Sequence, residues 1–376
     1  MKHNSILFVF FRNNSAGVGG GTTTMIEYAN LLKKKYKIDF LLPFHIENLN
    51  FSQKIFLNNE KKWIDFKIPW YLIKFFRSFL KISNKYSIIF ICLPNPSFLI
   101  IADFLKIISG KKVVVFIENA VNQEKLNFDT TVSFGNKLRF MINNPILARF
   151  NFKLCTYVVC SKFQKEQLIA LGFNKNAIYR IPNLPKSTKH GKIPFKLNKK
   201  NSLLYYGHLN YEKGVDILLD SFFNLEKNFP DLKLFIVTNS NKNNLFSKVI
   251  LKSIKNKRNV KLFFGKANVI DLLKNAKMVI LPYRTQIGTA IYPSSILEAV
   301  KNNTLVISSK LPIIKEILPN SVLVNPNNAS KELYNLITNF MVNDAEYLLN
   351  LKMEKSKYIK LFNTNNIKKN LIEVFE

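Results

Sequence analysis

The sequence predicts an α/β protein built from two doubly wound parallel sheets. Three observations lead there. At 376 residues the chain is long for one core and suited to two domains of ordinary size. Short apolar, β-rich runs alternate with helical patterns twice over, first from Ile6 and again from Leu203. Between the two alternations, after Asn183, the stretch PKSTKHGKIPFKLNKKN is polar, lysine-rich and punctuated by proline, and reads as a linker. The expected organisation is a first domain over 1–183, a linker over 184–200, a second domain over 201–350 and a C-terminal helix over 351–376 that packs back toward the first domain.

The first alternation opens with a strand at 6–11, then Gly19, Gly20 and Gly21, then a helical pattern over 22–36 (TTTMIEYANLLKKKY) and a second strand at 37–43. Strand, glycine loop and helix form the start of a βαβ nucleotide-type unit, in which glycines bring backbone close to a ligand at the helix N-terminus. A tight strand-to-helix turn with no ligand is the alternative, since a glycine run alone is a weak motif. The segment 69–82, PWYLIKFFRSFLKI, carries Lys74, Arg77, Ser78 and Lys81 on one stripe and Leu72, Phe75, Phe76, Phe79 and Leu80 opposite. It suits a sheet-covering helix. Trp63, Trp70, Tyr71 and the flanking lysines also suit an in-plane membrane contact, which 137–153 could share. Further strands are expected at 87–93, 112–117, 156–160 and 178–181. The uncharged stretch 86–102 approaches transmembrane length, but Pro94, Asn95 and Pro96 in its middle favour a strand, a turn and the start of a helix.

The second alternation places strands at 203–206, 233–237, 260–264, 278–281, 304–308 and 322–324, with helical patterns between them, and a lysine-rich helical segment over 345–376. Two alternations of similar length imply two doubly wound sheets with a cleft between them.

Composition narrows the function classes. A hydrophobic fraction of 47% with 33 Phe supports sizeable cores. The formal charge is +32, divided as +16 over 1–185 (26 Lys+Arg, 10 Asp+Glu) and +16 over 186–376 (30 and 14), so no basic tail or domain stands out. Lys outnumbers Arg 49 to 7, whereas nucleic-acid readers favour arginine forks and aromatic platforms. A specific nucleic-acid partner is not expected; an anionic substrate or anionic lipid fits better. Cys92, Cys155 and Cys160 show no paired spacing and lie in or beside apolar runs, as free core thiols do. With no signal-peptide pattern, the protein is expected in the cytoplasm, with contact to the cytosolic membrane face as a further reading.

Nucleophile and metal chemistries find little support. His3, His45, His190 and His208 lack metal spacing, and no Gly-x-Ser-x-Gly elbow, Walker loop or Asp-x-Asp occurs. No metal and no cofactor are expected. A sugar diphosphate would then depend on cationic side chains and backbone amides. Such groups stand at two places. In LLYYGHLNYEKGVDILLDSF, Gly207 ends a strand and is followed by His208, then Lys213 and Gly214 before a helix. Glycine admits close approach and Lys213 can reach a phosphate. In MVILPYRTQIGTAIYPSSILEAVKNNTLVISS, a loop with Gly288 and Pro293 leads into a short helix at Ser294 and Ser295. Those serines are expected to cap the helix beside free amides, with Glu298 one turn inside. Diphosphate on the amides and a hydroxylated ring on the carboxylate would make a nucleotide or sugar-nucleotide site.

The stretches GHLNYEKGVDILLDSF, NVKLFFG and ILPYRTQIGTAIYPSSILEAVKNNTLVISSKLPIIKEIL resemble the C-terminal half of the retaining glycosyltransferases of family 4. GGGTTTMIEYANLL and VVCSKFQKEQLIALGFNKNAIYRIPN resemble its N-terminal half. The resemblance implies a GT-B fold, two Rossmann-like doubly wound domains facing a central cleft. It implies transfer from a nucleoside-diphosphate sugar, such as a UDP- or GDP-sugar, to a glycan or lipid-linked acceptor. On the family pattern Glu298 binds the nucleotide ribose, Lys213 neutralises the diphosphate, and Gly20 and Gly21 face it from the first domain. His208 stands where the family commonly has arginine.

Two departures stand out. The family's Glu-x7-Glu puts its first glutamate at position 290, which here is Ala290. Where the family often has histidine after the strand 112–117, this chain has Glu118 and Asn119, and Glu118 at a strand end could face sugar or acceptor. A carboxylate bound to local amides or a lysine is the alternative there. Two rival functions share the fold: a sugar-nucleotide epimerase, which needs no acceptor, and a non-catalytic partner subunit, which would tolerate Ala290.

Overall fold

The computed structural model of the chain describes residues 5–10, 20–42, 54–56, 68–93, 99–118, 153–184, 194–286 and 291–376, with backbone alone at 20–22, 54–56 and 68–75. They form two compact units. One comprises the described residues up to Leu184 together with Phe362–Glu376, and the other those from 194 to Leu361. The described part of the linker segment, from 194 to 200, stands in the second unit, while 185–193 lie outside the described residues, as do Trp63, most of 137–153 and the side chains of Trp70 and Tyr71.

The strands of the first unit are β1 (Ser5–Phe10), β2 (Lys37–Leu42), β3 (Lys54–Phe56), β4 (Ile88–Leu93), β5 (Lys112–Ile117), β6 (Thr156–Val159) and β7 (Ile178–Arg180). They pair in parallel in the order β3-β2-β1-β4-β5-β6-β7. β1 and β4 are buried along their whole length, as a parallel sheet covered on both faces requires. α1 (Gly20–Leu32), α2 (Ile68–Ser83), α3 (Leu99–Ser109), α4 (Lys162–Ala170) and a C-terminal helix complete the unit. On one face Phe79, Leu99, Ala102 and Leu105 pack on Leu7, Val9, Ile89 and Ile91. On the other, Phe8 and Phe90 meet edge to face at 5.1 Å, and Phe90 meets Phe375 from the C-terminal helix at 5.2 Å. Three buried polar groups fix the connections. Tyr86 donates to Asp39 at 2.9 Å; Asp103 accepts the Lys153 and Leu154 amides at 3.1 and 3.0 Å; and Gln164 donates to the Ile117 carbonyl at 3.1 Å while closing a capping box with Ser161.

The second sheet contains β8 (Ser202–Tyr206), β9 (Lys233–Thr238), β10 (Val260–Phe264), β11 (Met278–Leu281), β12 (Leu305–Ser309) and β13 (Leu323–Val324), in parallel order β10-β9-β8-β11-β12-β13. Around it lie α5 (Val215–Asn228), α6 (Leu245–Ile254), α7 (Val269–Asn275), α8 (Ser294–Lys301), α9 (Pro312–Lys315), α10 (Ala329–Val342) and α11 (Asp344–Leu361). The strand order reverses between β1 and β4 in one sheet and between β8 and β11 in the other.

The C-terminal region departs from the single helix expected there. α11 belongs to the second unit, and only α12 (Thr364–Phe375) packs on the first. The break has a local cause: the Asn363 side chain accepts the Asn365 and Asn366 amides at 3.0 and 3.1 Å and starts a new helix. α11 is tied down by polar anchors. Tyr347 donates to the Lys277 carbonyl at 2.9 Å, and fully buried Glu354 accepts the Val306 amide at 3.1 and 3.2 Å. Lys310 bonds Val324 from the same edge of β12, so Glu354 occupies a ladder position that two-residue β13 is too short to reach.

Candidate functional site

In an open parallel sheet, ligands bind beyond the carboxyl ends of the strands where the order reverses. In the second unit that is the crevice past β8 and β11. From β8 the chain runs through Gly207 and His208 into a 3₁₀ turn, Tyr211–Lys213, ending at Gly214. From β11 it runs through Pro282, Tyr283 and Arg284. Gly214 has φ 65, and a Cβ there would lie 2.0 Å from the Pro282 carbonyl oxygen, so only glycine fits. The two loops are then locked together. The Arg284 amide donates to the Glu212 carbonyl at 3.0 Å, and its guanidinium donates to the Tyr211 carbonyl at 2.7 Å and to both Asp216 oxygens.

This frame positions Lys213. Its ammonium lies 4.7 Å from the centre of the Tyr283 ring, and burial, opposed by the Glu212 charge, lowers its pKa to about 8. Tyr283 in turn meets the Ser295 hydroxyl at 3.0 Å, while Tyr206 at the end of β8 donates to the Ser295 carbonyl. The serines do not cap the helix as expected. Pro293 holds the cap position, Ser294 and Ser295 form the first turn of α8, and the Ser295 hydroxyl is engaged by Tyr283 instead. Proline's fixed φ suits a helix entry, and Pro293 accepts the Ile296 and Leu297 amides at 3.0 and 3.2 Å. Glu298 follows one turn inside, half-buried, and among the described residues its carboxylate has no hydrogen-bond partner. Burial raises its pKa to about 7, against the lowering charge of Lys301.

Beside this cluster a depression of about 480 Å³ opens at the ends of β8, β9 and β10, lined among others by Gly207, His208, Thr238, Asn239, Gly265 and Lys266. Partial burial, and then the Lys213 charge, lower the His208 pKa. Sequence reasoning singled out Gly207 and His208 but not the other lining residues. Gly265, ending β10 as Gly207 ends β8, was the available signal. Arg284 and Asp216 were missed without one, because their contact spans 68 positions.

The structure therefore brings Gly207, His208, Lys213, Ser294, Ser295 and Glu298 to one crevice. Gly20, Gly21 and Glu118 stand in the first unit. Gly20 and Gly21 are the first residues of α1 and not a loop before it, and Gly19 lies outside the described residues. Glu118 follows β5, is 7% exposed, and its amide donates to the Leu93 carbonyl at 3.0 Å. Gly288, Ala290 and Asn119 lie outside the described residues. Among the described residues no three His, Cys, Asp or Glu side chains converge on a metal-sized site.

Residues 187–358 match the family of glycosyl transferases group 1. The group 1 segment contains every strand of the second sheet and both loops of the crevice. The fold as a whole is similar to that of Anabaena HepE in complex with UDP-glucose (TM-score 0.68, 14% identity, 99% of both chains). It is similar to a glycosyltransferase from Rickettsia africae ESF-5 (TM-score 0.67, 15% identity, 99% of this chain and 98% of that one). It is also similar to WaaG, a glycosyltransferase involved in lipopolysaccharide biosynthesis (TM-score 0.70, 12% identity, 98% and 99%). At these identities the likeness establishes the fold, which is GT-B. No curated protein matches the sequence. Within the group 1 segment, Lys213 and Glu298 come from the two strand ends flanking the switch point, β8 and β11.

Proposed function

We propose that the protein is a retaining, metal-independent glycosyltransferase that moves a sugar from a nucleoside-diphosphate sugar to a glycan or lipid-linked acceptor. The observation that carries this reading is the contact path from the Lys213 ammonium through the Tyr283 ring to Ser295, with Glu298 one turn further on. The path supports a reading in which the Lys213 cation meets the diphosphate and the Glu298 carboxylate the ribose hydroxyls. The adjoining depression, about 480 Å³, has room for a nucleobase. HepE's bound UDP-glucose makes a uridine donor the first to test.

In the reaction, the bond between the sugar anomeric carbon and the diphosphate oxygen breaks. The bond from that carbon to an acceptor hydroxyl oxygen forms, and the hydroxyl proton leaves with the diphosphate. Lys213, His208 and the α8 amides stabilise the negative charge that grows on the leaving group. On the family pattern the acceptor belongs to the first unit, which carries Gly20, Gly21 and Glu118. The enzyme works in the cytoplasm, at the membrane face where a lipid-linked acceptor lies. Ala290, where the family pattern has a sugar-contacting glutamate, favours one second reading, a donor-binding partner subunit without turnover of its own.

A thermal-shift panel of nucleotide sugars on purified protein tests donor binding. Stabilisation by one sugar nucleotide beyond its bare nucleotide is expected. Product analysis with that donor should show transfer, falling at least about tenfold in Lys213→Ala and Glu298→Ala, a loss of ~1.4 kcal/mol in transition-state binding. Unchanged turnover in either variant removes the site assignment, and binding without turnover supports the partner-subunit reading.

A further inference from the structure

The outer surface of α2 and α3 in the first unit is not the polar skin of an ordinary sheet-covering helix pair. Ile100, Phe104 and Ile107 recur at i, i+4 and i+7 along α3 and are 47%, 49% and 58% exposed. The stripe continues onto α2. The Phe104 ring meets Phe76 edge to face at 5.4 Å, and Leu80, one turn beyond Phe76, is 47% exposed. Leu80 was expected on the covered face of α2 with Phe76 and Phe79. Among the described side chains of that face Phe79 is fully buried, Phe76 is half-buried and Leu80 is exposed.

Among the described residues of the two helices, the charges beside this stripe carry one sign. Arg77 and Lys81 are exposed on α2, and half-buried Lys106 lies on α3. The one acid among the described residues of the two helices, Asp103, is fully buried and taken up by the Lys153 and Leu154 amides. An apolar stripe this exposed marks an interaction face, and a basic margin without acids selects an anionic partner. A second copy of the chain would bring the same cations against it, on a protein of net charge +32.

We propose that Leu80, Ile100, Phe104 and Ile107, margined by Arg77 and Lys81, form a docking face for an anionic lipid bilayer. The apolar side chains enter the boundary between headgroups and acyl chains, and the cations lie at headgroup level. The inference is independent of the transfer reading, since vesicle binding is measured without donor or acceptor.

The test is co-sedimentation of the full chain with vesicles of phosphatidylcholine alone or mixed with phosphatidylglycerol, at low and high salt. The wild type binds the anionic vesicles, less so at high salt, and Phe104→Glu/Ile107→Glu lowers partitioning at least tenfold. Lys248→Gln/Lys252→Gln, which lowers the net charge by the same two units at exposed positions of α6, leaves it within twofold. If the glutamate pair does not fold, Leu80→Gln/Ile100→Gln carries the same expectation. Wild-type indifference to anionic vesicles overturns the proposal. So does equal binding by the apolar-face variant, or an equal loss in the α6 variant, which would trace binding to net charge alone. Loss of a dimer in sedimentation velocity, in place of lost vesicle binding, would assign the face to a second copy and overturn it as well.

Discussion

Arg284 grips Asp216 through both carboxylate oxygens, at 2.9 and 2.5 Å, and its guanidinium carbon lies 4.0 Å from the centre of the Tyr211 ring. This clasp joins the loop after β11 to the loop and helix after β8. A planar fork is needed for it, so lysine cannot replace arginine here. Arg284→Lys should cost roughly 1.5–3 kcal/mol of stability, the range for hydrogen bonds to charged groups. It should also weaken donor binding by freeing the Lys213 loop. Chemical denaturation and donor titration check both, and a variant with wild-type stability and affinity would show the clasp to be dispensable.

Gly214→Ala tests the same frame from the backbone. The added Cβ would meet the Pro282 oxygen at 2.0 Å in a left-handed conformation. A loss of at least about 2 kcal/mol is expected from strain at such a position. Lys213→Ala should leave the fold nearly unchanged, so comparing the two separates a misplaced lysine from an absent one.

The lowered pKa of Lys213, about 8, gives donor binding a pH dependence. In the free site the ammonium is lost as pH rises through that value, while a bound diphosphate holds the proton on. Affinity should therefore fall from pH 7 to pH 9, and binding near pH 8 should take up protons. Calorimetry in buffers of differing ionisation enthalpy reads this uptake directly. Lys213→Arg, charged throughout, should flatten the slope, and a slope that persists in that variant would place the titration elsewhere.

Two carboxyls load the fold at neutral pH. Burial raises the Glu298 pKa from its ordinary 4.5 to about 7 and shifts Glu354 up as well. For a carboxyl raised in the folded state, the native protein binds more protons than the unfolded chain. Stability is then fully present below the unfolded value and lost as pH rises, for Glu298 between about 4.5 and 7. Glu298→Gln should raise stability above pH 7 by about 1–3 kcal/mol, allowing for its partial exposure, and abolish donor binding. Glu354→Gln keeps an acceptor for the Val306 amide and should raise stability while leaving donor binding intact. Melting curves from pH 5 to pH 8 distinguish the pair, and an unchanged donor affinity in Glu298→Gln would remove its assigned role.

Most of the strand pattern was legible because parallel strands buried on both faces leave continuous apolar runs such as ILFVF and IIFICL. β3, with three residues, was too short to signal. The break between α11 and α12 was missed because the helical pattern continues across it, and only the Asn363 cap and the anchors on β12 reveal two helices. Within the site, Gly207, Lys213 and Glu298 were legible as residue types fitting their local elements. The serine cap was misread because serine and proline compete for a helix start, and nothing local shows that Tyr283 holds the Ser295 hydroxyl.

By itself the sequence determined the two α/β alternations and the identity of the groups available to an anionic ligand. These follow from local periodicity and side-chain chemistry. Tertiary structure alone decided that β8 and β11 lie side by side, because strand order depends on which crossover buries the most apolar surface over the whole chain. That adjacency places Tyr206, Tyr283 and the Arg284–Asp216 clasp around Lys213. It also buries Lys213 and Glu298 enough to shift their protonation, a property that desolvation confers and that no residue carries alone.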